Sequence, residues 1–250
     1  RTVFVGGDGT VRAFWRVLFF CAATLVGLTV IMAILYPIAA ALGLPDFARA
    51  TRLPIPDLMG VGALLIGTYA ASRVVDGVRD GIWTRVGLGR HALRWRAIAI
   101  GLAVGTLAIL VPSAALVAAG RLTVVTQPQL QSWTSASGVA LMVLTFAALA
   151  EELLMRGYIL TTLRVSVGTP VAIVITSLLF ALLHLGNPDP TVIGLAMVGL
   201  AGSFLAVVRL ATGSLYAAWH ARFAGHFAQA PLLPPPVIGM PPPPPGSASW

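Results

Sequence analysis

The feature that most constrains this chain is a recurrence of apolar stretches long enough to cross a bilayer. They run at roughly 13 to 41, 57 to 73, 97 to 119, 137 to 162, 169 to 185, 191 to 208 and 213 to 230, each near the ~17–25 residues a spanning helix needs. In hydrocarbon every backbone N–H and C=O must be satisfied within the segment or a closed barrel, and runs of this length satisfy themselves as helices. The expected fold is therefore all-α: a polytopic transmembrane helix bundle of about seven spans. Only 10% of the residues are charged, against ~25% in soluble domains, so two water-soluble globular domains are excluded. Because the apolar runs continue along the chain, the first is expected to be a span and not a cleaved signal peptide. The sequence opens at Arg1 without an initiator Met, so residues ahead of it are expected.

The net charge of +8 does not point to nucleic acid, because every basic residue is Arg and most fall between the apolar runs. Arg1, Arg12, Arg16, Arg73, Arg79, Arg85, Arg90, Arg94, Arg96, Arg164 and Arg209 share one side of the expected topology, whereas Arg49, Arg52 and Arg121 lie on the other. The Arg-rich side is cytoplasmic, which puts the N-terminus inside and predicts a multi-pass membrane protein. Membrane lipid is the first expected partner. Cys21 is the only cysteine, so disulfides and cysteine-based metal clusters within the chain are excluded. Three regions follow: 1–136, N-terminal spans with a basic cytoplasmic loop in which His91 is solvated; 137–230, a helical core; and 231–250, a Pro-rich disordered tail.

The chemistry is concentrated in the core. The chain's only two glutamates, Glu151 and Glu152, are adjacent in the fourth apolar run. A carboxylate at the centre of a spanning helix costs at least ~2.5–3.5 kcal/mol on insertion scales, so it marks a pathway, a partner or catalysis. Glu152 and Arg156 are four apart, in the order that favours an ion pair on one helix face. Glu151, rotated by ~100°, lacks that partner and is left for general-base work.

Phe180 and His184 are again four apart on the fifth span, so a ring stands beside an imidazole. The last span carries His220, Arg222 and His226, three basic groups that some acidic group must face. Arg222 and His226 share a face; His220 and His226, six apart, do not point at one centre. Carboxylates and imidazoles converging from separate helices suit either a Zn²⁺ ion with an open position for water, held by Glu151, His184 and His226 (or His220 in place of His226), or a metal-free site in which a Glu activates water.

Glu-Glu-x-x-x-Arg at 151 to 156, Phe-x-x-x-His at 180 to 184 and a histidine-bearing last span together resemble the CPBP intramembrane proteases, also called the CAAX protease or Abi family. The resemblance covers roughly 137 to 230. It implies a helical bundle around a cavity and hydrolysis of a peptide bond in a membrane-associated or CAAX-like substrate. It also implies that Glu151 activates the water, that His184 assists or binds metal, and that Glu152 and Arg156 are the second acid and its ionic partner. The family's third motif, His-x-x-x-Asn, is altered: an ungapped count puts Arg222 at its His and His226 at its Asn, and a shifted one puts His220 and Ala224 there. Catalysis is thus assigned to Glu151, Glu152, Arg156, His184, Arg222 and His226. An alternative is a family member that has lost hydrolysis and serves as a binding or immunity scaffold for a membrane partner; a proton-coupled transporter is the other. The expected span edges place Glu151 in the cytoplasmic half and His184 near the opposite end, whereas a shared site requires them level.

Overall fold

A computed structural model describes residues 11–46, 55–76, 82–122, 143–187 and 190–229. The Pro-rich tail at 231–250 and the start of the fourth expected span, before 143, lie outside the described residues. The described elements are α1 (Ala13–Ala41), α2 (Ile55–Asp76), the short α3 (Ile82–Val86), a 3₁₀ turn (Arg90–Ala92) and α4 (Trp95–Ala118). A long helix, α5, occupies 143–167. It is followed by α6 (Thr169–Leu183), which ends in a 3₁₀ turn, by α7 (Val192–Thr212) and by α8 (Leu215–Gln229).

Among the described residues five helices are long and apolar enough to cross a membrane: α1, the 58–75 part of α2, α4, α6 with its terminal turn, and α7. The two expected spans that carry most of the charge do not meet that standard. α5 is interrupted by Glu151, Glu152 and Arg156, and α8 is only 15 residues long, about 22 Å at 1.5 Å per residue. α1, α4 and α7 turn Leu25, Val30, Ile34, Leu107, Val111, Val192 and Ile193 outward, as lipid-facing helices do, with no driving force to hide apolar groups from hydrocarbon.

Small residues then decide how closely the helices approach. Gly101 and Gly105 of α4 are buried against α8, and a Cβ on them would lie 2.2 Å from the Ala217 carbonyl oxygen and 2.0 Å from that of Ala221. This is a small-xxx-small seam on both helices. It fixes the helix that bears Arg222. Gly27 of α1 meets Gly67 of α2 in the same manner, and Gly202 of α7 sits against the Ser177 backbone of α6. Around α5, Phe20 stacks on Tyr158 with ring centroids 3.8 Å apart, in a cluster with Ile159, Leu160 and Phe180.

The turn from α7 to α8 follows the Thr-Gly-Ser break at 212–214, with Gly213 closing α7 in the left-handed conformation. The segment between α3 and α4 is clasped to it. Leu215 N–H donates to the Gly87 carbonyl at 2.9 Å, Ser214 Oγ to the Ala92 carbonyl at 2.7 Å, and Tyr216 Oη to the Leu88 carbonyl at 3.1 Å. His91, on this segment, is exposed as expected.

Candidate active site

α5 is not one regular helix. Its α-helical part ends at Glu152, and Leu153–Ile159 forms a π-helical stretch before the α pattern resumes at Leu160. Such widened turns are rare and concentrate at functional sites. Glu151 and Glu152 are the last residues before it.

Glu152 and Arg156 form the anticipated pair, with Nη1 donating to Oε1 at 2.7 Å and both side chains fully buried. Arg156 also donates from Nη2 to the carbonyl of Gly202 at 3.0 Å. That acceptor is within reach because Gly202 has no side chain: a Cβ there would lie 3.4 Å from Nη2. Glu151, left without Arg156, has a different partner. Arg222, from α8, donates from Nη2 to Glu151 Oε2, and its Nη1 lies 3.7 Å from Glu152 Oε1. Arg222 is the cation that needed an acid, and both glutamates face it.

The resulting quartet is electrically balanced, with two carboxylates and two guanidiniums, which makes so much charge tolerable away from water. Phe180 of α6 is its floor. The Arg156 guanidinium lies 4.5 Å and that of Arg222 4.7 Å from the ring centroid, close enough for cation–π attraction from both. Access is unequal: the Glu151 side chain is 29% exposed while that of Arg222 is 5% exposed and Glu152 is sealed.

His184 joins the site through the same ring, with centroids 4.5 Å apart. Arg222 touches Glu151 and Phe180 at once, which brings Glu151 near Phe180, one helical turn before His184. His184 Nδ1 is 2.8 Å from the Phe180 carbonyl. A carbonyl only accepts, so Nδ1 carries the proton and Nε2 keeps its lone pair when the ring is neutral. His226 lies within electrostatic reach of both Arg222 and His184. His220 is directed elsewhere: its Nδ1 donates to the Tyr216 carbonyl at 2.7 Å and its ring packs on Trp219.

Two supports were not anticipated from the sequence. The Gly202 carbonyl is one; the only signal for it was a small residue on a helix that must pass close to another. The other is Trp219, whose Nε1 donates to the Thr145 carbonyl at 2.7 Å and ties α8 to α5. A tryptophan in a span needs an acceptor for its N–H, and that need was legible.

The donor set named for Zn²⁺, Glu151, His184 and His226 or His220, does not fit an ion as arranged. Among the described residues no three His, Cys, Asp or Glu side chains come together as a metal site, and a guanidinium holds the carboxylate that would have to ligate.

Fold and site together define a helical membrane protein with a charged, partly accessible centre among its helices. Residues 132–228 match the family described as Type II CAAX prenyl endopeptidase Rce1-like, that is the CPBP, or CAAX protease, family. The match encloses every site residue named above. The matched segment thus resembles a CAAX-type endopeptidase. No match was found among curated proteins or solved structures.

Proposed function

We propose that this protein hydrolyses a peptide bond of a membrane-associated or CAAX-like peptide in a bacterial cytoplasmic membrane, using water activated by Glu151. The observation that carries this reading is the partly exposed Glu151 carboxylate held by Arg222 beside a ring shared with His184. Glu151 takes a proton from water as the water oxygen attacks the scissile carbonyl. The carbonyl oxygen becomes an oxyanion, and Arg222 is the cation placed to stabilise it. Its Nε has no partner, and its Nη1, at 3.7 Å from Glu152, is beyond hydrogen-bond range there. The C–N bond then breaks, and Glu151 returns the proton to the departing amine, directly or by way of the His184 Nε2 lone pair, leaving a carboxylic acid and a free amine. Glu152 and Arg156 hold the helix turn and the charge balance around this centre.

The test is cleavage of a prenylated CAAX-like peptide, and of the same peptide without the lipid, in proteoliposomes. Glu151→Ala and His184→Ala should abolish cleavage while leaving membrane insertion intact; cleavage retained in both rejects the mechanism. One observation favours a second reading, a binding scaffold without hydrolysis: Arg222 stands on the carboxylate that must meet water. Activity absent from the natural protein and appearing only in Arg222→His with His226→Asn would support that scaffold.

A further inference from the structure

Away from the quartet, another arginine is buried with no carboxylate to match it among the described residues. Arg209, near the end of α7, is 8% exposed. Arg156 and Arg222 each have a glutamate, but among the described residues no acidic group pairs with Arg209. Its guanidinium lies flat on Gly87: a Cβ there would fall 2.4 Å from Nη2 and 2.9 Å from Nε. Gly87 also has φ +83°, a conformation that favours glycine on its own account. Nη2 reaches the Arg85 carbonyl at 3.5 Å, the outer limit of a hydrogen bond, and Nε has no partner.

More positive charge surrounds it. Arg85, whose carbonyl Arg209 reaches, donates from Nη2 to Thr162 Oγ1 at 3.0 Å, and Arg164, exposed two residues further along α5, adds its charge beside Arg209. Arg94, exposed ahead of α4, donates from Nη2 to the Thr212 carbonyl at 3.0 Å, bringing a third guanidinium to the end of α7. The carbonyls at that helix end supply a fraction of a negative charge, ~0.5, and not a counter-ion. Three arginines from three segments are therefore gathered where like charges repel, with one of them desolvated. A bound anion resolves both costs.

The geometry points to a binding site for a phosphate-type anion formed by Arg209, Arg164 and Arg94, with the phosphodiester headgroup of an anionic lipid as the ligand that its depth favours. Depth comes from Trp95, the first residue of α4, which is 73% exposed and holds Arg96 over its ring at 5.6 Å. Exposed Trp beside Arg at a span terminus marks the headgroup layer. Arginine gives planar, paired donors suited to phosphate oxygens. Inorganic phosphate offers the same oxygens, so the lipid and the free ion must be separated by experiment. The site does not involve the quartet and stands whether or not the protein cleaves peptides.

The test uses the full chain in nanodiscs of phosphatidylcholine, titrated with phosphatidylglycerol or with inorganic phosphate, and read as bound lipid by native mass spectrometry and as thermal shift. Phosphatidylglycerol should bind and raise the melting temperature. Arg164→Gln, at an exposed position that folding tolerates, should weaken binding about tenfold, and Arg209→Gln should abolish it. Arg90→Gln, exposed nearby but outside the cluster, should bind like the natural protein. Protection by inorganic phosphate alone, sensitive to Arg164→Gln, supports the anion site with a free ion as its ligand. Binding of neither probe, or equal phosphatidylglycerol binding in Arg164→Gln and Arg90→Gln, overturns the proposal.

Discussion

Arg222 on α8 hydrogen-bonds Glu151 on α5 across 71 positions of sequence, and an ungapped count against the family's His-x-x-x-Asn motif puts Arg222 at its histidine. A guanidinium there changes the electrostatics of the centre. It brings a permanent positive charge to a pair of carboxylates that would otherwise repel one another, and it offers N–H donors where an imidazole would offer a lone pair. The site is thus suited to hold negative charge developing on a substrate oxygen and ill suited to hold a divalent cation. Phe180 keeps Arg222 and Arg156 on one surface, so the ion pairs act as one object.

Replacing Arg222 by Met should lower kcat by about 10²–10³, the usual cost of removing one oxyanion donor, with a smaller change in KM. Steady-state kinetics on a membrane peptide checks this, and a purely structural role for Arg222 would instead appear as loss of folded protein at unchanged kcat per folded molecule.

Breaking the buried Glu152–Arg156 pair from one side strands a charge without water. Arg156→Met should therefore destabilise the protein by about 3–5 kcal/mol, and Glu152→Gln combined with Arg156→Met should cost less than Arg156→Met alone. Denaturant unfolding in detergent gives both values.

The α4–α8 seam predicts that Gly105→Leu drives α8 off its seat, because the Ala221 carbonyl already occupies the space a Cβ needs. Activity and thermal stability should fall together. Leu107→Ala, at an exposed position on the same helix, should leave both nearly unchanged.

If Arg222 takes the place of a metal ion, chelators should not inhibit. Purified protein treated with EDTA should cleave at an unaltered rate, and elemental analysis should find well under one zinc per chain. Stoichiometric zinc lost together with activity in Glu151→Ala would refute this prediction.

How much of this was legible beforehand follows from the range of each interaction. Five of the seven expected spans were readable because hydrophobicity is a local property, and so were the breaks at Gly168 and Gly213. The Glu152–Arg156 pair needs only the helical repeat. Glu151–Arg222 was not readable, since periodicity tells which residues share a face of one helix but not which face meets a neighbour. The requirement that some acid face Arg222 was visible; its identity was not. The π-helical turn after Glu152 carries no local signature in Leu-Leu-Met-Arg-Gly, and it shifts the register of everything beyond it. The short α8 was read as a full span because its apolar residues outnumber its charges, yet its Ala-rich face packs on α4 glycines.

The measurement that bears most directly on the account is a double-mutant cycle of Glu151→Gln and Arg222→Gln on the rate of peptide cleavage in proteoliposomes. Groups that act as a unit are strongly non-additive, so the double variant should be no slower than Glu151→Gln alone. A double variant slower by the product of the two single effects would show that Glu151 and Arg222 act independently, and would contradict a catalytic centre built on their contact.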